Sequence, residues 1–244
     1  MIQEQLDNFL FQYSYSTLFM LSFFYFFLLY FGIAPIFNKV CQLFFKIKLL
    51  QKIELKEVSS KQIYFEIKHS FKSIIIFGFS IIPIIYLIRT AKIQLLPNTF
   101  SNIIIGLVIL NLWNELHFFI VHRMMHLRYF MKNVHYIHHQ SKVPTVYSVY
   151  SFHWLEAILL STVPLTIVLF LPLSFISIAI YPLTSILLNY SGHCNYRFGN
   201  GSKNSWKLFG TIHNEHHYKN KDNYGFVLQL FDHIISKFKT LKQK

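Results

Sequence analysis

The stretch LEAILLSTVPLTIVLFLPLSFISIAIYPLTSILLNYSGH, residues 155–193, carries one charged side chain, Glu156, and is too long for a single membrane crossing. A helical span needs about 20 apolar residues. Leu171-Pro172 lies near the middle, and a proline pushes the residue before it away from helix. The stretch therefore predicts two short spans joined by a tight turn. Three more apolar runs precede it. SYSTLFMLSFFYFFLLYFGIAPIF (14–37) has no charge, and FKSIIIFGFSIIPIIYLI (71–88) contains Pro83, which a membrane helix tolerates as a kink. TFSNIIIGLVILNLWNELHFFIV (99–121) begins apolar and ends polar, with Glu115 and His117 in its last turns. The expectation is an all-α membrane protein with about five spans, or four if the 155–193 pair is a re-entrant hairpin.

Composition agrees with that class. Of the 244 residues, 53% are hydrophobic and 14% charged, too few charges to cover a soluble globule. The length suits one integrated domain. Residues 1–16 contain no Lys or Arg to form the n-region of a signal peptide, so the first span is expected to remain in the mature protein. Cys41 and Cys194 make neither a disulfide framework nor a zinc motif and are expected to be free thiols.

The basic residues set the orientation. Segments 38–72, 122–153 and 194–244 hold 21 of the 23 Lys and Arg, and five spans place all three on one side. The positive-inside rule makes that side cytosolic, in a bacterial inner membrane or the endoplasmic reticulum. Segment 38–72, with FFKIKLLQKIELK, is expected to be an amphipathic helix in the headgroup layer. No nucleic-acid motif accompanies this charge or the lysine-rich tail KFKTLKQK (237–244), so nucleic acid is not an expected partner.

Histidines crowd the same side. VHRMMHLRYFMKNVHYIHHQ (121–140) holds His122, His126, His135, His138 and His139, and IHNEHHYKNKDNYG (212–225) holds His213, His216 and His217. On a helix, residues three and four apart share a face. The first two histidines are i, i+4, and each HxxHH triple is i, i+3, i+4, so each set can direct two or three imidazoles to one place. Neutral imidazole is the commonest protein metal ligand. Eight imidazoles exceed the four of a tetrahedral site and suggest two ions, with a redox-active pair the natural inference. Ligand type alone leaves iron and zinc both open. Metal-bound imidazoles usually donate their other N–H to a carboxylate or carbonyl. Glu115 and Glu215 are candidates for that supporting role, against the simpler reading of each as a surface carboxylate beside a lysine.

HRMMH (122–126), HYIHH (135–139) and HNEHH (213–217), interleaved with long apolar hairpins, resemble the fatty acid hydroxylase / sterol desaturase superfamily of integral membrane di-iron enzymes. The resemblance covers roughly residues 100–240 and divides the chain into 1–98, membrane spans with a basic interfacial segment, and 99–244, the catalytic region. NYG (223–225) and Asp232 also resemble the family's ending. The resemblance implies a cytosolic helical cap carrying the boxes, with His122, His126, His135, His138, His139, His213, His216 and His217 as iron ligands and His193 in NYSGH as the additional one. At Asn189 some relatives have a histidine, and this side chain would hold a metal-bound water or cap a helix end. FHWLE (152–156) resembles a His-Pro-x-Glu element with Trp154 in place of proline, which makes His153 and Glu156 supporting residues. His117 is expected to hydrogen-bond internally, and His69 and His233 have no assigned role.

The implied activity is O2-dependent hydroxylation, with desaturation as the second outcome, of a fatty acyl chain or sterol in lipid biosynthesis. It requires two Fe ions, and the absence of CxxCH and GxGxxG motifs implies a separate cytochrome b5- or ferredoxin-like electron donor. Two rivals stand. A multispan metal-ion transporter would place its ligands near the bilayer midplane. A zinc-dependent membrane hydrolase would need fewer histidines and a motif such as HExxH, which is not found.

Overall fold

The computed structural model describes residues 6–198, 211–220, 223–227 and 231–235. The lysine-rich tail 237–244 lies outside the described residues.

Helix α1 (Tyr15–Lys46) starts where the Ser14 side chain accepts the Thr17 N–H at 3.1 Å. It continues unbroken past Pro35 for 32 residues and closes at Lys48, whose φ of 62° turns the chain back. Strand β1 (Leu50–Lys52) follows, so segment 38–72 is not one amphipathic helix. Its first third continues α1, its middle is a strand and turn, and its last part opens helix α2 (Ser60–Gly78). The interruption has a tertiary cause: β1 pairs antiparallel with the strand Tyr196–Phe198, and Asn195 exchanges two 2.9 Å hydrogen bonds with the backbone of Glu54.

The second apolar run divides into α2 and α3 (Ile81–Arg89). Pro83 has no N–H for the Phe79 carbonyl, and its ring crowds that carbonyl, so the break falls at 79–80 rather than as a kink at Pro83 itself. Thr99 caps helix α4 (Phe100–Met125), which carries the first histidines at its far end. A short helical run comes next. It contains α5 (Arg128–Phe130), a π-helical turn Met131–His135 and α6 (Tyr136–His139).

The 155–193 stretch forms the expected hairpin. Its first arm is broken into α7 (Trp154–Ser161) and α8 (Val163–Val168), and its second is α9 (Phe175–His193). Helix α10 (Thr211–Lys219) brings the third histidine set. Among the described residues four helical stretches are long and apolar enough to cross a membrane: 15–46, 60–89, 100–125 and 175–193. The pass through α7 and α8 is shorter, about 22 Å at 1.5 Å per residue, so the count is four spans plus a short arm rather than five. The protein is a multi-pass membrane protein of all-α class, and its outward face fits lipid: Ile104, Ile105, Val108 and Leu112 of α4 are all exposed.

Two small ladders mark the ends of the bundle. Leu95–Leu96 (β2) pairs with Leu173–Ser174 (β3) at the tip of the hairpin. The β1 pairing with Tyr196–Phe198 (β4) lies at the other end, three residues beyond His193. Between them α4 packs on α9 closely enough that a Cβ at Gly106 would overlap Ser177 Oγ. This contact fixes where His122 and His193 emerge relative to one another.

Candidate metal centre

Nine histidines converge at the β1–β4 end and sort into two groups. His122, His126, His135, His139 and His216 form one, and His138, His193, His213 and His217 form the other. In each group one ring nitrogen per residue lies within 4.8 Å of all the others. The groups adjoin, with the His139 and His217 rings 5.0 Å apart.

Each HxxHH triple is shared between the groups, which sharpens the expectation that a triple points to one place. Successive residues on a helix are about 100° apart, whereas i and i+4 differ by only about 40°. His135 and His139 therefore go together and His138 turns to the other group. On α10 the pair His213 and His217 goes one way and His216 the other. Neither group can be assembled from a single box. The π-helical turn ending at His135 widens the backbone where the second box enters, a feature frequent at functional sites. At Gly192 helix α10 packs directly on α9: a Cβ there would lie 3.4 Å from His213, in ordinary contact.

The nitrogens face one another at short range. His135 Nε2 and His139 Nε2 are 3.0 Å apart, as are His126 Nε2 and His216 Nε2. His193 Nε2 lies 3.1 Å from His217 Nε2 and 3.4 Å from His138 Nε2. Two nitrogens bound at about 2.1 Å to one ion, at 90–110°, would be about 3.0–3.4 Å apart. The far side of several rings is fixed by an acceptor. His122 Nδ1 is 2.9 Å from the Tyr224 carbonyl, His135 Nδ1 is 2.8 Å from Glu156 Oε1, and His193 Nδ1 is 3.0 Å from the Asn189 carbonyl. Each of these acceptors takes the Nδ1 proton and leaves the Nε2 lone pair free to bind. His122 Nε2 is buried and meets no hydrogen-bond partner among the described residues. A buried lone pair with no donor, in a nest of imidazole nitrogens at ligand spacing, fits a metal ion.

Electrostatics favours the same species. Burial, and then the neighbouring His216, hold His126 down to about 3. Burial, then His216 and His126, hold His139 down to about 2. His135, His138, His213 and His217 are driven well below the ordinary histidine value by burial first and by neighbouring histidines, His139, His193 and His138 foremost, second. These rings are neutral at pH 7, the state that binds metal.

The supporting residues divide. Glu156 is buried against His135. Asn189 meets His193 through its backbone carbonyl, while its side chain donates to the Val149 carbonyl at 3.1 Å. Glu115 is buried, and its Oε1 accepts the Val227 N–H at 3.0 Å, which ties α4 to the segment that delivers the Tyr224 carbonyl. His153 caps α7, accepting the Leu155 N–H at 3.3 Å, and supports the site only by starting the helix that carries Glu156. Glu215 is a surface partner of Lys219 at 2.9 Å, because position 215 lies on the opposite side of α10 from the histidines. His117 Nε2 lies 3.1 Å from Thr162 Oγ1, outside both groups.

Tyr224 was not among the sequence candidates, since a carbonyl leaves no mark in side-chain chemistry. The signal for it was the turn NYG: Asn223 adopts φ 58°, and Asp232 accepts the N–H groups of Tyr224 (3.1 Å) and Gly225 (2.6 Å), which aims the carbonyl at His122.

Beneath the histidines lies a cavity of about 90 Å³, lined by Phe118 and Phe152 at its upper end and by Tyr181 and Pro182 farther down. Phe152 is 4.8 Å from the His138 ring and Phe118 is 4.9 Å from His122, so one aromatic layer separates cavity from imidazoles. Among the comparisons with known proteins, the family model for fatty acid hydroxylase matches residues 107–237, and no solved structure matches the chain.

Proposed function

Since the chain belongs to the fatty acid hydroxylase family, we propose that it is a membrane-embedded di-iron oxidoreductase that uses O2 to hydroxylate, or secondarily to desaturate, a lipid. The observation that carries this reading is the division of nine neutral histidines into two adjoining groups, five and four, with nitrogens at ligand spacing. The five-histidine group would hold one ion and the four-histidine group the other. When bound, the iron pair supplies the electrons and Lewis acidity that let O2 attack an unactivated C–H bond.

The chain's own groups perform the rest. Glu156 and the carbonyls of Tyr224 and Asn189 keep three rings in the binding tautomer. The cavity admits an apolar chain from the bilayer and presents it below the histidines, behind a layer of Phe118 and Phe152 that excludes water. The electrons come from a separate donor, a cytochrome b5- or ferredoxin-like protein, at the basic cytosolic face. The histidines sit at one end of the bundle and not at its middle, which disfavours a transporter. A zinc hydrolase would leave most of the nine without a role.

The test is metal analysis of the detergent-purified chain, followed by mass spectrometry of lipids from expressing cells. About two irons per chain and products shifted by +16 or −2 Da are expected. A single zinc with unchanged lipids would overturn the proposal.

A further inference from the structure

Among the polar groups that line the cavity, two large buried ones are left without a partner by the described residues. Asn114, in the middle of α4, is 5% exposed, and Tyr150, in the loop before α7, is 7% exposed; both line the cavity. Neither side chain has a hydrogen-bond partner among the described residues. Two smaller polar residues of the lining are engaged internally: Ser161 Oγ donates to the Ile158 carbonyl at 2.7 Å, and Asn189 donates to the Val149 carbonyl. Asn114 precedes His122 by eight residues, about 12 Å of helix, within a stretch that spans the membrane.

An amide and a phenol at that depth are costly if they face only hydrocarbon, since no bulk water reaches them. Each offers both a donor and an acceptor. The ligand group that answers both is a hydroxyl, which gives its proton to one and accepts from the other. We infer that the cavity selects a lipid bearing a hydroxyl inside the bilayer, and that Asn114 and Tyr150 are the specificity-determining residues that hold it. A plain acyl segment would leave both unpaired. Regiochemistry then follows from the fold. The carbon presented to the histidines is set by its distance from the hydroxyl, about two helical turns away along α4. The chemical consequence rests on the oxygenase reading, whereas the binding preference does not.

The experiment uses the full iron-loaded chain in lipid nanodiscs and two photoactivatable probes: a long-chain diazirine alcohol and the matching diazirine alkane without the hydroxyl. Cross-linked peptides are mapped by mass spectrometry. The wild-type cavity is expected to take the alcohol about tenfold over the alkane, as one or two neutral hydrogen bonds imply. Asn114→Leu and Tyr150→Phe should each cut that preference to below about threefold and leave alkane labelling unchanged. Tyr150→Phe removes a single oxygen, so it carries the test if Asn114→Leu loses metal or fails to fold. Equal labelling of the wild type by both probes, which is what water or a plain acyl chain in the cavity would give, overturns the inference. So does a preference that survives both substitutions. A chain that prefers the alcohol but oxidises no lipid would refute the oxygenase proposal and spare this one; a chain that oxidises lipids without the preference would do the reverse.

Discussion

Replacing Glu156 by alanine removes the carboxylate that lies 2.8 Å from His135 Nδ1, with both groups buried. Leaving a buried group without its hydrogen-bond partner costs about 1–3 kcal/mol, and losing such a partner behind a metal ligand typically weakens metal affinity about 10- to 100-fold. The two figures describe the same effect, since about 1.4 kcal/mol is a factor of ten. His135 belongs to the five-histidine group, so the loss should fall on one ion only. Chelator competition on the purified, iron-loaded chain reads this directly. One of two irons should become easier to remove by that factor, the other should keep its wild-type affinity, and activity should fall more than the metal content of the protein as isolated. Glu156→Gln retains an oxygen that accepts from Nδ1–H and should land between alanine and wild type. Equal weakening of both ions, or of neither, would refute the argument. Complete metal loss before any chelator would make the carboxylate a ligand itself.

The adjacent residues His138 and His139 belong to different groups, so His138→Ala and His139→Ala should each lower the affinity of a different ion. Distinct changes in the two Mössbauer subspectra would show it, and identical spectra would contradict it. The folded protein holds His126 and His139 far below the ordinary value of about 6.5, so the unfolded chain takes up protons first as pH falls. The stability of the metal-free fold should therefore be full above about pH 7 and fall below about 6.5, by up to about 1.4 kcal/mol per pH unit for a fully buried histidine. Thermal melts at pH 8, 6 and 5 check the sign, and a melting temperature that rises on acidification would reverse it. Gly106→Val should overpack the α4–α9 contact against Ser177 and cost about 1–3 kcal/mol in detergent unfolding; a neutral result would mean the helices separate freely.

The parts of the fold legible in the sequence are those governed by periodicity and length. The hairpin at 155–193 follows from the apolar run and Leu171-Pro172, and the runs read as beginning at 14 and 99 start where Ser14 and Thr99 cap α1 and α4. Segment 38–72 is not legible, because its strand exists only through pairing with residues far along the chain, Leu50 with Phe198 and Lys52 with Tyr196. The nine histidines are legible as residues but not as two groups. Spacing tells which face of a helix a side chain occupies, while the neighbour that face meets depends on packing such as that of Gly106 on Ser177. Glu215 illustrates the limit in a single residue. It is flanked by ligating-type histidines in the sequence, yet the 100° step of the helix turns it outward to Lys219. Glu156, far from the boxes in sequence, is the carboxylate that reaches a ring.

The sharing of each triple between two groups also sets the order in which this protein matures. Before α10 has been synthesised, the larger group already has four of its five imidazoles, whereas the smaller has only two of four. A nascent chain inserting into the bilayer therefore has a nearly complete first cradle and half of the second. On the two-ion reading, the second site would be finished only after insertion, when α10 folds back across the mouth of the bundle.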